Sequence, residues 1–384
     1  MMHLASRPLR TLVCGTRFGE MYISALTRRP GIPPFHLCGI LARGSERSRT
    51  LAQDLDVPLY TDVADLPDNI DVACVALRSS AFGGPGIKVA TALLRRGIHV
   101  VYEHPLHPSE VRVLDAAARE SKAFWVLNTF YPDTRAAERM SRYVQTWHAQ
   151  RKPDYITVTT SPQFLLSSLD ILQRCFGSLD TFHIFDRPPW PEPFSQQNIP
   201  PFEVIRASLD GIPTIIHLQG WIDPRDADHH ALVMHNIAVG GREGRLELVN
   251  SFGPLVWTRP IYVPDYAQDT ADASLLRTWD LKAEQIDFKH PMSVVFGPSE
   301  GMSFLQAIET EFPIIIAAAL SRLKTALEMN TAEKLSAQAL SVSTAWHTCM
   351  QALGPLRSVA LSPPPLPIPE PCHFAHTCSE EGVL

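Results

Sequence analysis

The chain has 384 residues, 45% of them hydrophobic and 19% charged, with a formal net charge of −6. That is the make-up of an ordinary soluble protein large enough for two domains, and the acidic balance argues against nucleic acid, whose phosphates need a basic face. The longest apolar run, Phe312–Leu320, is too short to span a bilayer, the first ten residues lack the apolar core of a signal peptide, and seven scattered cysteines, three of them inside apolar runs, suit a reducing compartment. A cytoplasmic protein with no membrane or nucleic-acid partner is the expectation.

Taken in order, Leu9–Cys14 is a short apolar strand that runs into Gly15-Thr16-Arg17-Phe18-Gly19. Helical spacing follows over Phe18–Arg28 and stops at Pro30-Gly31. In such a strand–turn–helix unit the backbone N–H groups at the helix N-terminus can hold a pyrophosphate. Gly15, Thr16, Phe18 and Gly19 are the candidate contacts. Set against G-x-G-x-x-G with Gly19 last, Cys14 and Thr16 stand where glycines belong. Taking Gly15 as the first glycine makes the turn one residue shorter, and a tight structural turn would read the same way.

Alternation carries the fold. Strands are expected at Phe35–Ala42, Val57–Tyr60, Ile70–Leu77, Ile98–Tyr102 and Ala123–Asn128, with helices at Ser45–Leu55, Gly84–Arg96 and 110–121 between them. Strands interleaved with helices make a parallel, doubly wound sheet, the Rossmann pattern. After the second strand come Arg43, Ser45 and Arg47, where an acidic residue would bind the ribose hydroxyl of NAD. Guanidinium suits the 2′-phosphate of NADP, so NADPH is the expected cofactor. Arg78 and Ser79, just past the fourth strand, are counted with the cofactor contacts.

The fifth strand breaks into Glu103-His104-Pro105-Leu106-His107-Pro108. Pro105 biases His104 toward extended backbone, at the carboxyl edge where open α/β sheets bind ligands. Ser109-Glu110 reads as the N-cap of the next helix. Beyond the sixth strand, Thr134–Lys152 reads as a surface helix with Arg135, Arg139 and Arg142 on one face, a solvated face or one that meets an acidic partner.

The texture then changes. A strand at Asp154–Thr160, a helix at Leu165–Phe176 and a strand at Leu179–Asp186 lead to a proline-rich loop, 188–201, long enough for a lid. Strand pairs flank Asp210-Gly211 and Gly240–Gly244, and Leu255–Val263 follows Gly253-Pro254, so an antiparallel meander is expected. Amphipathic helices Ser303–Leu327 and Ala332–Ala352 should pack back on the body. The expected organisation is a Rossmann domain (1–150), an α+β domain with an open, mainly antiparallel sheet (151–355) and a proline-rich disordered tail (356–384). The tail's Cys372, His373, His376 and Cys378 fit no familiar zinc spacing, and no metal is assigned.

This constellation resembles the glucose–fructose oxidoreductase-like (Gfo/Idh/MocA) superfamily. There the fifth strand usually ends in Glu-Lys-Pro, where this chain has Glu103-His104-Pro105. The family's His-x-x-Asp helix matches Ser167-Ser168-Leu169-Asp170, with Gly177 after it, so the histidine has become Ser167. One branch lacking both the lysine and the histidine is the thiazolinyl imine reductases of siderophore assembly lines. Val13-Cys14-Gly15-Thr16-Arg17-Phe18-Gly19, Glu103–Pro108 and Asn128-Thr129-Phe130-Tyr131-Pro132 look like that branch. The resemblance implies NADPH-dependent reduction of a thiazoline C=N bond to a thiazolidine, on a substrate tethered to a carrier domain of a nonribosomal peptide synthetase. It makes His104 and Tyr131 the candidate proton donors and adds Glu103 to the cofactor contacts. A homodimer stays open. The competing readings are a sugar or inositol-type dehydrogenase and a non-catalytic NADP-binding regulator.

Overall fold

The computed structural model describes residues 7–28, 32, 34–79, 83–191, 200–225, 231–260, 291–297 and 302–360. Strands β1 (Leu9–Cys14), β2 (Phe35–Leu41), β3 (Leu59–Tyr60), β4 (Val72–Val75), β5 (His99–Glu103) and β6 (Trp125–Asn128) form a parallel sheet in the order β3-β2-β1-β4-β5-β6. Their apolar runs are buried because crossover helices α1 (Gly19–Arg28), α2 (Glu46–Asp54), α3 (Gly86–Arg95) and α4 (Pro108–Ser121) cover the sheet. Strand order reverses between β1 and β4, which sets the ligand crevice beyond their carboxyl ends. The cap of α4 is His107 rather than the expected Ser109. Its Nδ1 accepts from the Ser109 amide at 3.2 Å, and its own amide donates to Glu110 Oε2 at 2.9 Å. Pro108 can then take the first helical position, where a missing N–H costs nothing.

Helix α5 (Arg135–Gln150) leads into the second domain. It is not the surface helix expected: Ala136, Ala137, Met140, Val144 and Trp147 are buried. Strand β7 (Tyr155–Thr160) and helix α6 (Pro162–Phe176) are followed by β8 (His183–Asp186), β9 (Phe202–Leu209), β10 (Ile212–Gln219) and the short β11 (Trp221–Ile222). Then come β12 (His235–Gly241), β13 (Gly244–Leu248), β14 (Leu255–Thr258) and β15 (Ser293–Phe296). The sheet order is β15-β14-β13-β12-β7-β10-β9-β8, antiparallel except where β10 meets β7. The meander was legible from its turns; the parallel join was not.

The last two helices, α7 (Phe312–Met329) and α8 (Ala332–Leu353), return to the first domain. The expected single helix from Ser303 is interrupted by a π-helical turn at Ala307–Glu311. Helix α7 packs on α1 and β6, and α8 on α4, β6 and α6. Phe304–Met329 is long and apolar enough to cross a membrane, but Ile315, Ile316, Ala319, Leu320 and Leu323 are spent in this packing. Strand β16 (Arg357–Ser358) pairs with β11, and Arg357 Nη2 lies 3.4 Å from buried Glu203. The tail therefore does not begin at 356. Residues 361–384 with Cys372, His373, His376 and Cys378, and residues 192–199 of the proline-rich loop, lie outside the described residues.

The two domains are latched by buried charge. Asp133, just after β6, accepts from Arg174 Nη1 of α6 at 2.6 Å and from Arg322 Nη1 of α7 at 2.5 Å. Burial alone would raise the pKa of its carboxyl, but Arg322 and Arg174 outweigh it and hold the value below the ordinary range. A second pair corrects the reading of the arginine face. Arg135 is bound to buried Glu311, through Nε at 2.5 Å and its amide at 3.1 Å, and Arg142 pairs with Glu138. Of the three arginines only Arg139 makes no ion pair among the described residues.

Asp133→Ala should lower the unfolding free energy by about 3–5 kcal/mol, because two guanidinium groups are left without their buried counter-ion. With a depressed folded pKa, the native contribution is complete above the unfolded carboxyl range and is lost as pH falls through the folded value. Denaturant unfolding at neutral and acidic pH checks this: the gap between native and variant should shrink on acidification. A loss below about 1 kcal/mol at neutral pH would show that the latch is not needed.

Candidate active site

The turn after β1 fits a dinucleotide. Gly15 has φ +98°, and a Cβ there would sit 2.7 Å from the Ala76 carbonyl oxygen, so no other residue can make this bend. Beyond it the amides of Thr16, Arg17, Phe18 and Gly19 make no hydrogen bond among the described residues and stand at the N-terminus of α1, where an anion is favoured. Phe18 sets its ring edge against Phe130 at 5.2 Å, tying this turn to the end of β6. Ser79, past β4, has a buried hydroxyl with no partner among the described residues. The peptide around Ser79 is held by Gly84, whose amide donates to the Ser79 carbonyl at 2.9 Å.

The three residues expected at the adenosine end are used differently. Arg43 is exposed and makes no ion pair among the described residues. Ser45 is the N-cap of α2, accepting from the Ser48 amide at 3.3 Å. Arg47 pairs with Glu20 at 2.8 Å and is not free for a phosphate. Arg43 is the one of the three that could meet a 2′-phosphate without first breaking a bond.

At the ends of β5 and β6 lies a network that the sequence did not announce. Glu103, 8% exposed, accepts from the Tyr22 hydroxyl of α1 and from Asn128 Nδ2 at 3.2 Å on Oε2. Asn128 Nδ2 also contacts the Tyr22 oxygen at 2.6 Å. On the other side, His104 Nδ1 is 2.8 Å from Glu103 Oε1 and 3.2 Å from the Asn128 carbonyl, the acceptor to which its N–H is better aligned. Both neighbours are acceptors, so Nδ1 carries the proton and Nε2 is left without a partner among the described residues. Glu103, expected on the cofactor, is bonded inside the protein through Oε2, while its Oε1 lies beside His104 Nδ1 and has no hydrogen bond among the described residues. Burial, and then the Glu103 charge, push the Tyr22 pKa well above its usual value, so that phenol stays a donor.

Tyr131 stands next to this network. Its amide bonds the Thr129 carbonyl at 3.0 Å across Phe130, which has φ +67° and ψ −78°. That is a γ-turn of the strained, φ-positive kind, costing on the order of 1–3 kcal/mol and found where structure holds a functional group in place. Tyr131 is 9% exposed, and its hydroxyl makes no hydrogen bond among the described residues. Burial, with a smaller push from Glu103, raises its pKa above the ordinary phenol value. Its ring touches Phe164 at 5.3 Å, Phe252 at 6.2 Å and His235 at 4.7 Å.

His235, at the start of β12, was not foreseen; one histidine in an apolar strand gives no signal. Its Nε2 is 2.8 Å from Ser167 Oγ, so the serine standing where the resemblance expects a histidine is bonded to one brought from another strand. Asp170 is fully engaged, by Thr129 Oγ1, by Gln173 Nε2 at 3.1 Å and by Arg174 at 3.5 Å. It serves the latch and has no oxygen free for chemistry.

Comparison with known proteins agrees with this geometry. Residues 9–129 match the model of the oxidoreductase family with an NAD-binding Rossmann fold, and residues 151–258 match that of the thiazolinyl imine reductase Irp3-like C-terminal domain. No curated protein sequence matches significantly. Among solved structures, a 3-ketoreductase from Actinomadura kijaniata, in complex with TDP-benzene and NADP, superposes with a TM-score of 0.60 at 14% identity, over 89% of this chain and 96% of that one. An oxidoreductase from Agrobacterium radiobacter, with NAD+, L-tartaric acid and magnesium, gives 0.58 at 10% identity, over 88% and 94%. An oxidoreductase from Sinorhizobium meliloti gives 0.58 at 15%, over 91% and 98%. At these identities the structures speak for the fold alone. The family matches, one on each domain, go further: the chain is a nicotinamide-dependent oxidoreductase of the Gfo/Idh/MocA superfamily, with a second domain of the thiazolinyl imine reductase Irp3-like kind.

Proposed function

We propose that the protein is an NADPH-dependent thiazolinyl imine reductase acting on a thiazoline carried by a carrier domain of a nonribosomal peptide synthetase. The observation that carries this reading is Tyr131, its ring packed among Phe164, Phe252 and His235 and its hydroxyl without a hydrogen bond among the described residues. When bound, the nicotinamide supplies a hydride, here to the imine carbon. The nitrogen must then gain a proton, and Tyr131 provides it. A phenol with a raised pKa is a weak acid, but the nitrogen anion that would otherwise form is far more basic, so transfer runs downhill. Tyr131 is then re-protonated by one proton from solvent, and His104, whose Nδ1–H is held by the Asn128 carbonyl, presents the bare Nε2 that takes up that proton and passes it on. Alcohol oxidation of the superfamily's usual kind is the poorer fit, since His104 and Ser167 stand where its lysine and histidine belong, and Ser167 is committed to Phe164 and His235.

The defining test is NADPH oxidation with a soluble aryl-thiazoline and with the same group on a carrier domain. Tyr131→Phe should lower kcat by ~10²–10⁴-fold with NADPH affinity unchanged. Because the raised phenol pKa keeps Tyr131 protonated, no loss of kcat due to Tyr131 should occur until the pH passes the ordinary phenol value of about 10. A Tyr131→Phe enzyme within about threefold of the native rate would refute the assignment, and oxidation of a sugar alcohol in place of thiazoline reduction would refute the function.

Cofactor choice rests on Arg43. A charge-assisted phosphate contact contributes ~1.5–3 kcal/mol, so native enzyme should prefer NADPH, and Arg43→Ala should narrow the preference at least tenfold. Arg47→Ala should change it little, because Arg47 is paired with Glu20. Fluorescence titration with both cofactors measures this, and equal native affinity would end the NADPH assignment.

A further inference from the structure

We propose that His235 is the positioning residue of the active site, clamped between two serines of different elements so that its ring fixes the Tyr131 phenol. The inference rests on Tyr131 as proton donor and adds what holds it. His235 is 1% exposed and pairs with Thr160 at the start of β12. Ser167 Oγ of α6, 2.8 Å from Nε2, donates its proton to the Phe164 carbonyl at 2.9 Å. It must therefore accept from His235, which places the proton on Nε2. Nδ1, 2.7 Å from Ser251 Oγ, is then the acceptor of the Ser251 hydroxyl. One uncharged tautomer satisfies both ends of the ring.

With its edges used, the ring offers its sides to Phe164, 5.5 Å away, and to Tyr131, 4.7 Å away at 46°. Ser251 closes the circuit. Its carbonyl accepts from Thr134 Oγ1 at 3.1 Å, and the same hydroxyl contacts the Tyr131 carbonyl at 2.9 Å. The backbone of Tyr131 is thus tied to Ser251 through Thr134, and its ring to Ser251 through His235. Among the described residues, the ionisable groups that face His235 are His104 and Tyr131. Burial, and then the nearness of His104, push the His235 pKa down to about 3, so it adds no charge beside the proton donor.

The test uses the full chain with cofactor bound. His235→Ala should lower kcat tenfold or more while leaving NADPH affinity and substrate KM within about twofold, since ring support is lost and no substrate contact is removed. Ser251→Ala, which frees one end of the ring, should lower kcat about threefold, and Ser251→Thr, which keeps the hydroxyl, should restore it. Histidine ¹⁵N NMR of the native holoenzyme should show residue 235 uncharged, with the proton on Nε2, from about pH 5 to pH 9. Titration of that ring within this range, or native kcat in His235→Ala, would overturn the proposal. So would losses in His235→Ala and Ser251→Ala that merely follow lost NADPH binding. The NMR readout needs no substrate, so it stands even if the thiazoline reading fails.

Discussion

Everything at this site hangs on the carboxylate of Asp133. The segment between β6 and α5 carries Tyr131, and left alone it would relax out of the positive φ at Phe130. Two guanidinium groups prevent that from one side: Arg174 from the second domain and Arg322 from α7 both close on Asp133. From the other side the amide of Phe130 bonds Asn128 Oδ1 at 3.2 Å, and the Phe130 ring is pinned by Phe18 and Phe312. A buried pair is no guarantee of net stability, because desolvation opposes it. Its value here is geometric. It makes the position of Tyr131 a joint property of both domains.

Glu103 plays the matching role for His104. A buried carboxylate is tolerable only where fixed donors meet it, and Oε2 has Tyr22 of α1 and Asn128 of β6, while Oε1, without a hydrogen bond among the described residues, lies beside His104 Nδ1. The dinucleotide turn, the acid network and the aromatic wall are therefore one assembly. Phe18, in the turn after β1, packs on Tyr22, which bonds Glu103 beside His104, and on Phe130, which touches Tyr131. Movement at the cofactor end would reach both His104 and Tyr131 through side chains already in contact.

The alternation of apolar runs and helical spacing made the first domain legible, because parallel strands covered on both faces leave a strong period in the letters. Glu103, His104 and Tyr131 were legible because their turns interrupt those runs abruptly. What escaped was long-range pairing. Tyr22 and Asn128 meet Glu103 from 81 and 25 residues away. Glu311 meets Arg135 from 176 residues away, so a helix face that reads as solvated is partly an ion-pair site. His235 escaped for a related reason: a histidine in a strand acquires meaning only from the serines that reach it. Ser167 and Asp170 show the opposite failure. Motif spacing marked both as site positions, yet in the structure one is a partner for His235 and the other a strut of the latch.

The chemistry this assembly favours follows from its dielectric. Phe130, Phe164 and Phe252 pack on the Tyr131 ring, Phe312 backs Phe130 and Phe252, and His235 is uncharged. In such surroundings a phenolate is costly, so the hydroxyl gives up its proton only to an acceptor more basic than phenolate itself. The nitrogen formed by hydride addition to a neutral imine meets that condition. A sugar alcohol asks the reverse, a group that takes a proton from a hydroxyl, and the same low dielectric opposes it unless a charged partner stands by. The carboxylate whose charge reaches Tyr131, Glu103, is bonded through Oε2 to Tyr22 and Asn128. A reductive, proton-giving site is the one we propose for these residues, a proposal that the Irp3-like match of the second domain supports.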